Sequence, residues 1–161
     1  MENKPQNFQE CAQLEIEDLY SKSTDTLGDI INLQKNIQED VYGYNFNELQ
    51  SGKLKQLKEF VDWNEEAIRD EQREFASALT GIHTFPSHWK NWKSKHKEAM
   101  DRSLNDLTPA ELLELKYEWI DILHFFINQG LAIGLTPKEI YNMYYAKNKH
   151  NRERQQKIGG Y

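Results

Sequence analysis

Glu71 and Glu74 stand three apart in Glu71-Gln72-Arg73-Glu74, and Glu118 and Asp121 stand three apart in Tyr117-Glu118-Trp119-Ile120-Asp121. On a helix that spacing puts both members of a pair on one face, one turn apart, where they can grip one ion together. Taken alone, such a pair belongs to the solvated stripe of an amphipathic helix, and Glu114, Glu118, Asp121, His124 and Asn128 read that way. Two pairs on two helices packed side by side are a different matter, because they bring four carboxylates together. Unit charges about 4 Å apart interact by about 4 kcal/mol at an effective dielectric near 20, so the cluster is costly or partly protonated unless cations join it. Mg²⁺ is suited to join it, being a hard ion that takes oxygen ligands, keeps several waters and is commonly shared between carboxylates and substrate phosphates. The substrate this chemistry implies is a phosphate ester, with basic groups needed at the far end of the phosphate chain.

Such groups are present. Lys147, Asn151 and Arg154 fall at i, i+4 and i+7, one helical face with two cations and an amide that suits a phosphate clamp. A basic last turn also complements the helix dipole, which is the simpler reading of the same residues. In Trp89-Lys90-Asn91-Trp92-Lys93 the two indoles, three apart, either anchor a core or stack on a base, and the lysines can reach phosphate. His83, His88, His96, His124 and His150 show no zinc spacing, so no zinc is expected. The chain has no GxxxxGK[ST], GxGxxG or GxSxG, which removes the defining residues of P-loop, dinucleotide-binding and serine-hydrolase sites.

The elements that must position these groups are helical. Thr108-Pro109-Ala110-Glu111 and Thr136-Pro137-Lys138-Glu139 each place Thr at the N-cap, Pro at the first helical position and Glu at the third, a capping box in both cases. The first predicts a helix to about Gly130 or Gly134, and the second a helix through Tyr145 toward Gln156, stopped by Gly159-Gly160. Leu27, Ile30, Ile31, Gln34 and Ile37 keep helical spacing after Thr24-Asp25, and a longer pattern runs through Leu54, Leu57, Phe60, Val61, Ile68, Phe75 and Leu79. A loop is expected between Thr80 and Ser87, then a helix through Trp89, Trp92 and His96. No strand-like alternation is sustained, so the fold expected is all-α, in a single domain over residues 1–161 with 1–10 frayed.

Composition agrees. With 161 residues, 38% hydrophobic, 29% charged, eight Gly and four Pro, the chain suits one core built from long helices. Its net charge of -6 argues against a general nucleic-acid binder. The single Cys11 has no disulfide or zinc partner, which points to a reducing compartment, the cytoplasm. The longest apolar stretch, around Trp119 to Ile127, carries Asp121 and His124 and is too short to span a bilayer; with no leader pattern at the start, neither secretion nor membrane insertion is expected.

From about Leu27 to Tyr161 the chain resembles the all-α NTP pyrophosphatase superfamily, which groups the dimeric dUTPases with MazG-like enzymes, and within it the dCTP pyrophosphatases of T-even phages. The resemblance rests on Asp70-Glu-Gln-Arg-Glu74, Trp89-Lys-Asn-Trp-Lys93, Glu118-Trp-Ile-Asp121-Ile-Leu-His-Phe125 and Lys147-Asn-Lys-His-Asn151-Arg-Glu-Arg154-Gln155, ending in Gly160-Tyr161. It implies that a helical bundle holds Mg²⁺ on Glu71, Glu74, Glu118 and Asp121, with Glu71 or Glu74 activating the water that attacks the α-phosphorus of a deoxynucleoside triphosphate. It also implies that Lys147 and Arg154 neutralise phosphate with Asn151 between them, that Gln34 faces the base, that Trp92 and Lys93 lie beside the nucleotide, and that Asn128 lies near the sugar. The segment Thr80 to Leu107 departs from compact MazG-like members by its length. The substrates implied are dCTP and dUTP, with a purine dNTP as the alternative in a phage that remodels its nucleotide pool. A homodimer or higher homo-oligomer is implied, acting in the host cytoplasm if the chain is phage-encoded. The alternative of another class is a non-catalytic acidic helical module that binds a partner protein.

Overall fold

The computed structural model describes residues 16–79, 97–98 and 101–156. They form helices and no strand: α1 (Thr26–Asp40), α2 (Phe46–Ser51), α3 (Leu54–Leu79), α4 (Pro109–Ala132) and α5 (Pro137–Gln156), with single 3-10 turns at Tyr20–Lys22 and Leu104–Asp106. The all-α class expected from the sequence is the one observed. The expected helix through Trp89, Trp92 and His96, the loop before it and the frayed first ten residues lie outside the described residues. Among those described, no helix is long and apolar enough to cross a membrane.

Both Thr caps form as their residue types dictate. Thr108 Oγ1 accepts from the Glu111 amide at 3.2 Å while Glu111 Oε2 accepts from the Thr108 amide at 2.7 Å, and Thr136 and Glu139 do the same at 3.2 and 2.9 Å. Two helix-start donors that would otherwise lack partners are met reciprocally in each case. Glu111 does more, since Arg102 also donates to both its oxygens at 3.0 Å, and these bonds hold the Glu111 carboxyl down at about 2. At its other end α4 stops in a Schellman arrangement, with the Leu135 amide donating to the Gly130 carbonyl and the Gly134 amide to the Leu131 carbonyl. Gly134 sits at φ 78°, where a side chain is strained. Asp25 caps α1 by accepting from the Gly28 amide at 3.0 Å.

α2 is the element the hydrophobic pattern misses, because six residues make less than two turns and leave no period to read. Its start is nonetheless written locally: Asn45 Oδ1 accepts from the amides of Asn47 and Glu48. Short as it is, α2 places Phe46 in the core and lets Gln50 donate to the Leu131 carbonyl at 2.9 Å, a second donor on a carbonyl that the Gly134 amide also meets.

The most extensive helix pair is α3 with α4. Its register runs antiparallel, since Asn64 meets Asn128 while Glu71, two turns on, meets Asp121, the partner number falling as the α3 number rises. One end of the seam is apolar: Phe60, Leu131 and Ala132 join Ile31 of α1 and Phe46 of α2, with Leu27, Leu49, Leu57, Ile127 and Ile140 packed around them. Tyr44 and Phe46 both meet Phe60 edge-on, at 4.8 and 5.9 Å between ring centres. Burying a side chain of that size contributes roughly 1.5–3 kcal/mol, so this end anchors the bundle. The outer face of α3 is charged and laced by i,i+4 pairs such as Arg69 with Glu65 at 2.8 Å.

Replacing Thr108 by Ala is expected to lower unfolding stability by about 1 kcal/mol, read as a shift in urea midpoint. Glu111→Gln should cost more than Thr108→Ala, because it also unties Arg102. The sign with pH follows from the lowered carboxyl: its contribution is present above the ordinary carboxylate value of 4.5 and is lost as pH falls toward about 2. The gap between wild type and Glu111→Gln should therefore close on acidification; a gap that widens instead would contradict the assignment.

Candidate active site

α3 and α4, once antiparallel, lay their acidic faces against each other beyond the apolar end of the seam. Oxygens of Glu71, Glu118 and Asp121 all lie within 4.8 Å of one another, and all three residues are half-buried. Glu74 stands beside this group and adds its charge to Glu71 and Glu118. Glu114, one turn before Glu118, is a further carboxylate in the cluster. It reads as part of a solvated stripe in the sequence, yet it is 3% exposed.

Burial and mutual repulsion leave these groups reluctant to ionise. Desolvation, followed by the charges of Glu74, Asp121 and Asp70, pushes Glu71 up to about 7. Desolvation, then Glu74, Glu114, Asp121 and Glu71, does the same to Glu118, also to about 7. Glu74 is raised by desolvation and by Asp70, Asp121 and Glu114. Asp121 is raised by desolvation, against a smaller opposing pull from His124, whose Nδ1 lies 3.6 Å from its carboxylate. Glu118 Oε2 is sealed from solvent with no hydrogen-bond partner among the described residues. A buried carboxylate oxygen that accepts nothing is rare, and three converging carboxylates around it are an oxygen donor set that a hard divalent cation would complete. The residues fit such an ion.

Next to the cluster, on the side of Asp121 and His124, lies a cavity of about 750 Å³ between α1, α3 and α4. Ile30, Leu33, Ile37, Trp63, Leu123 and Phe125 make its wall largely apolar, and Gln34, Gln38 and His124 supply its polar points. Its size and character are those of a small-molecule site. Gln34 is held from behind. Its Nε2 donates to Asn128 Oδ1 at 2.8 Å, and Asn128 Nδ2 donates to Asn64 Oδ1 at 2.9 Å. Asn128 is 0% exposed and meets these two amides, not the cavity surface. Sequence reasoning singles out Gln34 and Asn128 but not Asn64 or Gln38. The signal is there: Phe60, Asn64 and Ile68 share one i,i+4 row, so Asn64 has to lie on the buried face of α3, and Gln38 follows Gln34 by one turn.

The remaining candidates are Trp92, Lys93, Lys147, Asn151 and Arg154. Trp92 and Lys93 lie outside the described residues. Lys147 is exposed and Asn151 and Arg154 are half-buried on α5, which contacts α1 but makes no extended contact with α3 or α4. Neither Lys147 nor Arg154 is among the groups that shift the four carboxylates.

The chain is 32% identical over 165 aligned positions to a dCTP pyrophosphatase of Enterobacteria phage T4, a match that covers 92% of this chain and 96% of the relative. It is 36% identical over 109 positions to a dCTP pyrophosphatase of Enterobacteria phage LZ5, covering 63% of each. A DNA replication protein of phage T4 is 30% identical over 160 positions; these take in 89% of this chain but 41% of that longer protein. Neither a family model nor a solved structure matches the chain.

The raised carboxylates make the ion-free protein sensitive to base. A carboxyl whose folded value exceeds its unfolded value stabilises the fold fully below the unfolded value, 4.5 for Glu, and that contribution is lost as pH rises through about 7. In EDTA, the melting temperature is expected to fall between pH 5 and pH 8, and Glu118→Gln to melt above wild type at pH 8. Added MgCl₂ at pH 8 should restore wild type by mass action, about 2.7 kcal/mol at a hundredfold excess over its dissociation constant, and leave Glu118→Gln unmoved. A variant less stable than wild type at pH 8 in EDTA would show that the cluster is not under charge strain.

Proposed function

This chain belongs to the family of the phage dCTP pyrophosphatases, and from that membership we propose that it is a magnesium-dependent deoxynucleoside triphosphate pyrophosphohydrolase. On this reading it converts dCTP and dUTP to the monophosphate and pyrophosphate, as a member of the wider superfamily of dimeric dUTPases and MazG-like enzymes. The observation that carries the proposal is the meeting of Glu71, Glu118 and Asp121 around a Glu118 oxygen that has no partner among the described residues, beside a cavity large enough for a nucleoside. A solvated acidic face that serves only to bind a protein has no need to seal a carboxylate oxygen, which counts against the interaction-module alternative.

In this mechanism Glu71, Glu74, Glu118 and Asp121 hold Mg²⁺, which when bound supplies positive charge to the phosphate oxygens and relieves the repulsion among the acids. The chain's own part is positional and acid–base. The α3 carboxylates face the α4 pair across the seam, so a water between them can lose its proton to Glu71 or Glu74 as it attacks the α-phosphorus. With the repulsion relieved both carboxylates stand ionised, and either can take that proton as a general base. The apolar walls of the cavity take the nucleoside, with Gln34 toward the base and Trp63 and Phe125 on the aromatic side. Lys147, Asn151 and Arg154 on the phosphate side, and Trp92 and Lys93 beside the nucleotide, enter the proposal through the resemblance alone.

We place the enzyme in the host cytoplasm as a homodimer or higher homo-oligomer. α5 has no fully buried residue and exposes Tyr141, Met143, Tyr144 and Tyr145, an apolar surface that self-association would cover. Sedimentation equilibrium is expected to return a mass above that of one chain; a monomer at all micromolar concentrations would remove this part of the proposal.

The decisive test is pyrophosphate release from a panel of dNTPs and NTPs with and without MgCl₂. Release from dCTP and dUTP is expected, dependent on magnesium. Removing even an outer-shell partner of a metal site costs about 10–100-fold, so Glu71→Gln and Asp121→Asn should each lower turnover by at least that much. Release only from a purine dNTP would move the substrate to the alternative class, and no release from any triphosphate by folded wild type would end the enzymatic reading.

A further inference from the structure

The three buried amides between α1, α3 and α4 form a chain with a direction. Asn64 Nδ2 donates to the Phe60 carbonyl at 2.8 Å, Asn128 Nδ2 donates to Asn64 Oδ1 at 2.9 Å, and Gln34 Nε2 donates to Asn128 Oδ1 at 2.8 Å. Exposures of 0% for Asn64 and Asn128 and 8% for Gln34 leave no solvent to substitute for a lost partner. An amide can ordinarily turn over and exchange its donor and acceptor ends. Here it cannot, because the first link is a main-chain carbonyl, which only accepts. Asn64 must therefore offer its NH₂ to Phe60 and its oxygen to Asn128; Asn128 must then offer its NH₂ to Asn64 and its oxygen to Gln34; and Gln34 must spend its NH₂ on Asn128. Turning any one of them sets oxygen against oxygen or NH₂ against NH₂ in a buried place.

What emerges at the cavity is Gln34 Oε1. It accepts from nothing among the described residues and is not among the polar atoms sealed without a partner, so it opens on the space that Gln34 lines. Gln38, one turn on, lines the same cavity with a side chain that bonds nothing among the described residues, so it is free to present either end. Discrimination falls to the amide whose polarity is fixed.

We propose that Asn64, acting through Asn128, is a positioning residue that locks Gln34 as a hydrogen-bond acceptor, so that the cavity selects a base bearing an exocyclic amine, cytosine over uracil. This rests on the nucleotide-hydrolase reading above and narrows it. The 4-amino group of cytosine donates to Gln34 Oε1, whereas the 4-oxo group of uracil meets it oxygen to oxygen within apolar walls. The expected preference is roughly 10–100-fold in kcat/KM for dCTP over dUTP, the scale of one mismatched polar contact out of water.

The test compares wild type, Asn64→Leu and Gln34→Met in turnover of dCTP and dUTP with magnesium, and in calorimetric binding of dCMP and dUMP. Asn64→Leu keeps the shape of the side chain and removes its polarity, releasing Asn128 and Gln34 to turn over. The dCTP/dUTP ratio should then fall toward one, whatever happens to the overall rate. A merely structural Asn64 would lower both substrates together and leave the ratio where it was, which would overturn the proposal. If Asn64→Leu does not fold, Gln34→Met carries the same reading from the cavity wall, and a ratio unchanged there overturns it equally. A wild-type ratio near one with good turnover sinks the relay but spares the enzyme. No turnover of either substrate sinks the enzyme, and the relay then stands or falls on whether dCMP binds more tightly than dUMP.

Discussion

Everything in this bundle depends on the register of α3 against α4. Slide one helix along the other by a turn and Phe60 leaves Leu131 and Ala132, Asn64 loses Asn128, and Glu71 no longer faces Glu118 and Asp121. The register is held most firmly at the apolar end, where Phe60 is clamped edge-on by Tyr44 and Phe46 and where α2 and the Gly134 turn close over the end of α4. The Asn64–Asn128 bond then fixes it a second time, since a hydrogen bond between fully buried amides tolerates much less sliding than apolar contact does. The acidic end contributes nothing to this alignment in the ion-free protein. Its charges repel, so it is positioned by the rest.

That division explains which parts are legible in the sequence. Capping is local chemistry, so Thr108 and Thr136 announce α4 and α5, and the long apolar stripe announces α3. α2 does not announce itself by period, although Asn45 and Glu48 have the cap spacing. The convergence of the two acidic pairs follows from i,i+3 spacing only as a possibility, because spacing says which residues share a face. It does not say which faces meet at which height. So Glu74, by spacing an equal member of the cluster, stands beside the Glu71–Glu118–Asp121 group, and Glu114, by spacing part of a solvated stripe, is buried. Asn64 escapes notice because a polar residue in a helix reads as surface; only its place on the Phe60–Ile68 row says otherwise. The basic face of α5 reads as the clamp of the same site, and nothing in its own sequence says where a helix restarted after the Gly134 turn will dock.

The order of groups along the seam follows the cost of desolvation. Carbon costs nothing to bury, and the apolar cluster lies where three other helices cover the pair. Amides cost several kcal/mol each if left unsatisfied in an apolar medium, on the order of 2–7 by reference state, but they can satisfy one another, and Asn64 and Asn128 do so at complete burial. Carboxylates cannot satisfy one another when ionised. Glu114 apart, they are found partly or fully exposed, at the end of the seam where water and cations can enter, and even there Glu71 and Glu118 are driven up to about 7. An inverted order, with acids under the aromatic cluster, would carry an uncompensated charge penalty that a marginally stable domain of this size has no means to offset.

The same ordering separates two demands that a nucleotide site must meet without mutual interference. Groups that must change protonation or take up a cation need a soft, solvent-connected setting in which their charge state can respond. Groups that must tell one neutral base from another need the reverse, a dry setting in which a wrong hydrogen bond is not repaired by water. In this chain Asp121 and His124 mark the boundary between the two, paired with each other at 3.6 Å, with His124 also on the wall of the cavity. On the far side of that boundary stands Gln34, an amide whose orientation is inherited, link by link, from one main-chain carbonyl on α3. A change in pH or ion occupancy at the acids therefore leaves the polarity of Gln34 unaltered.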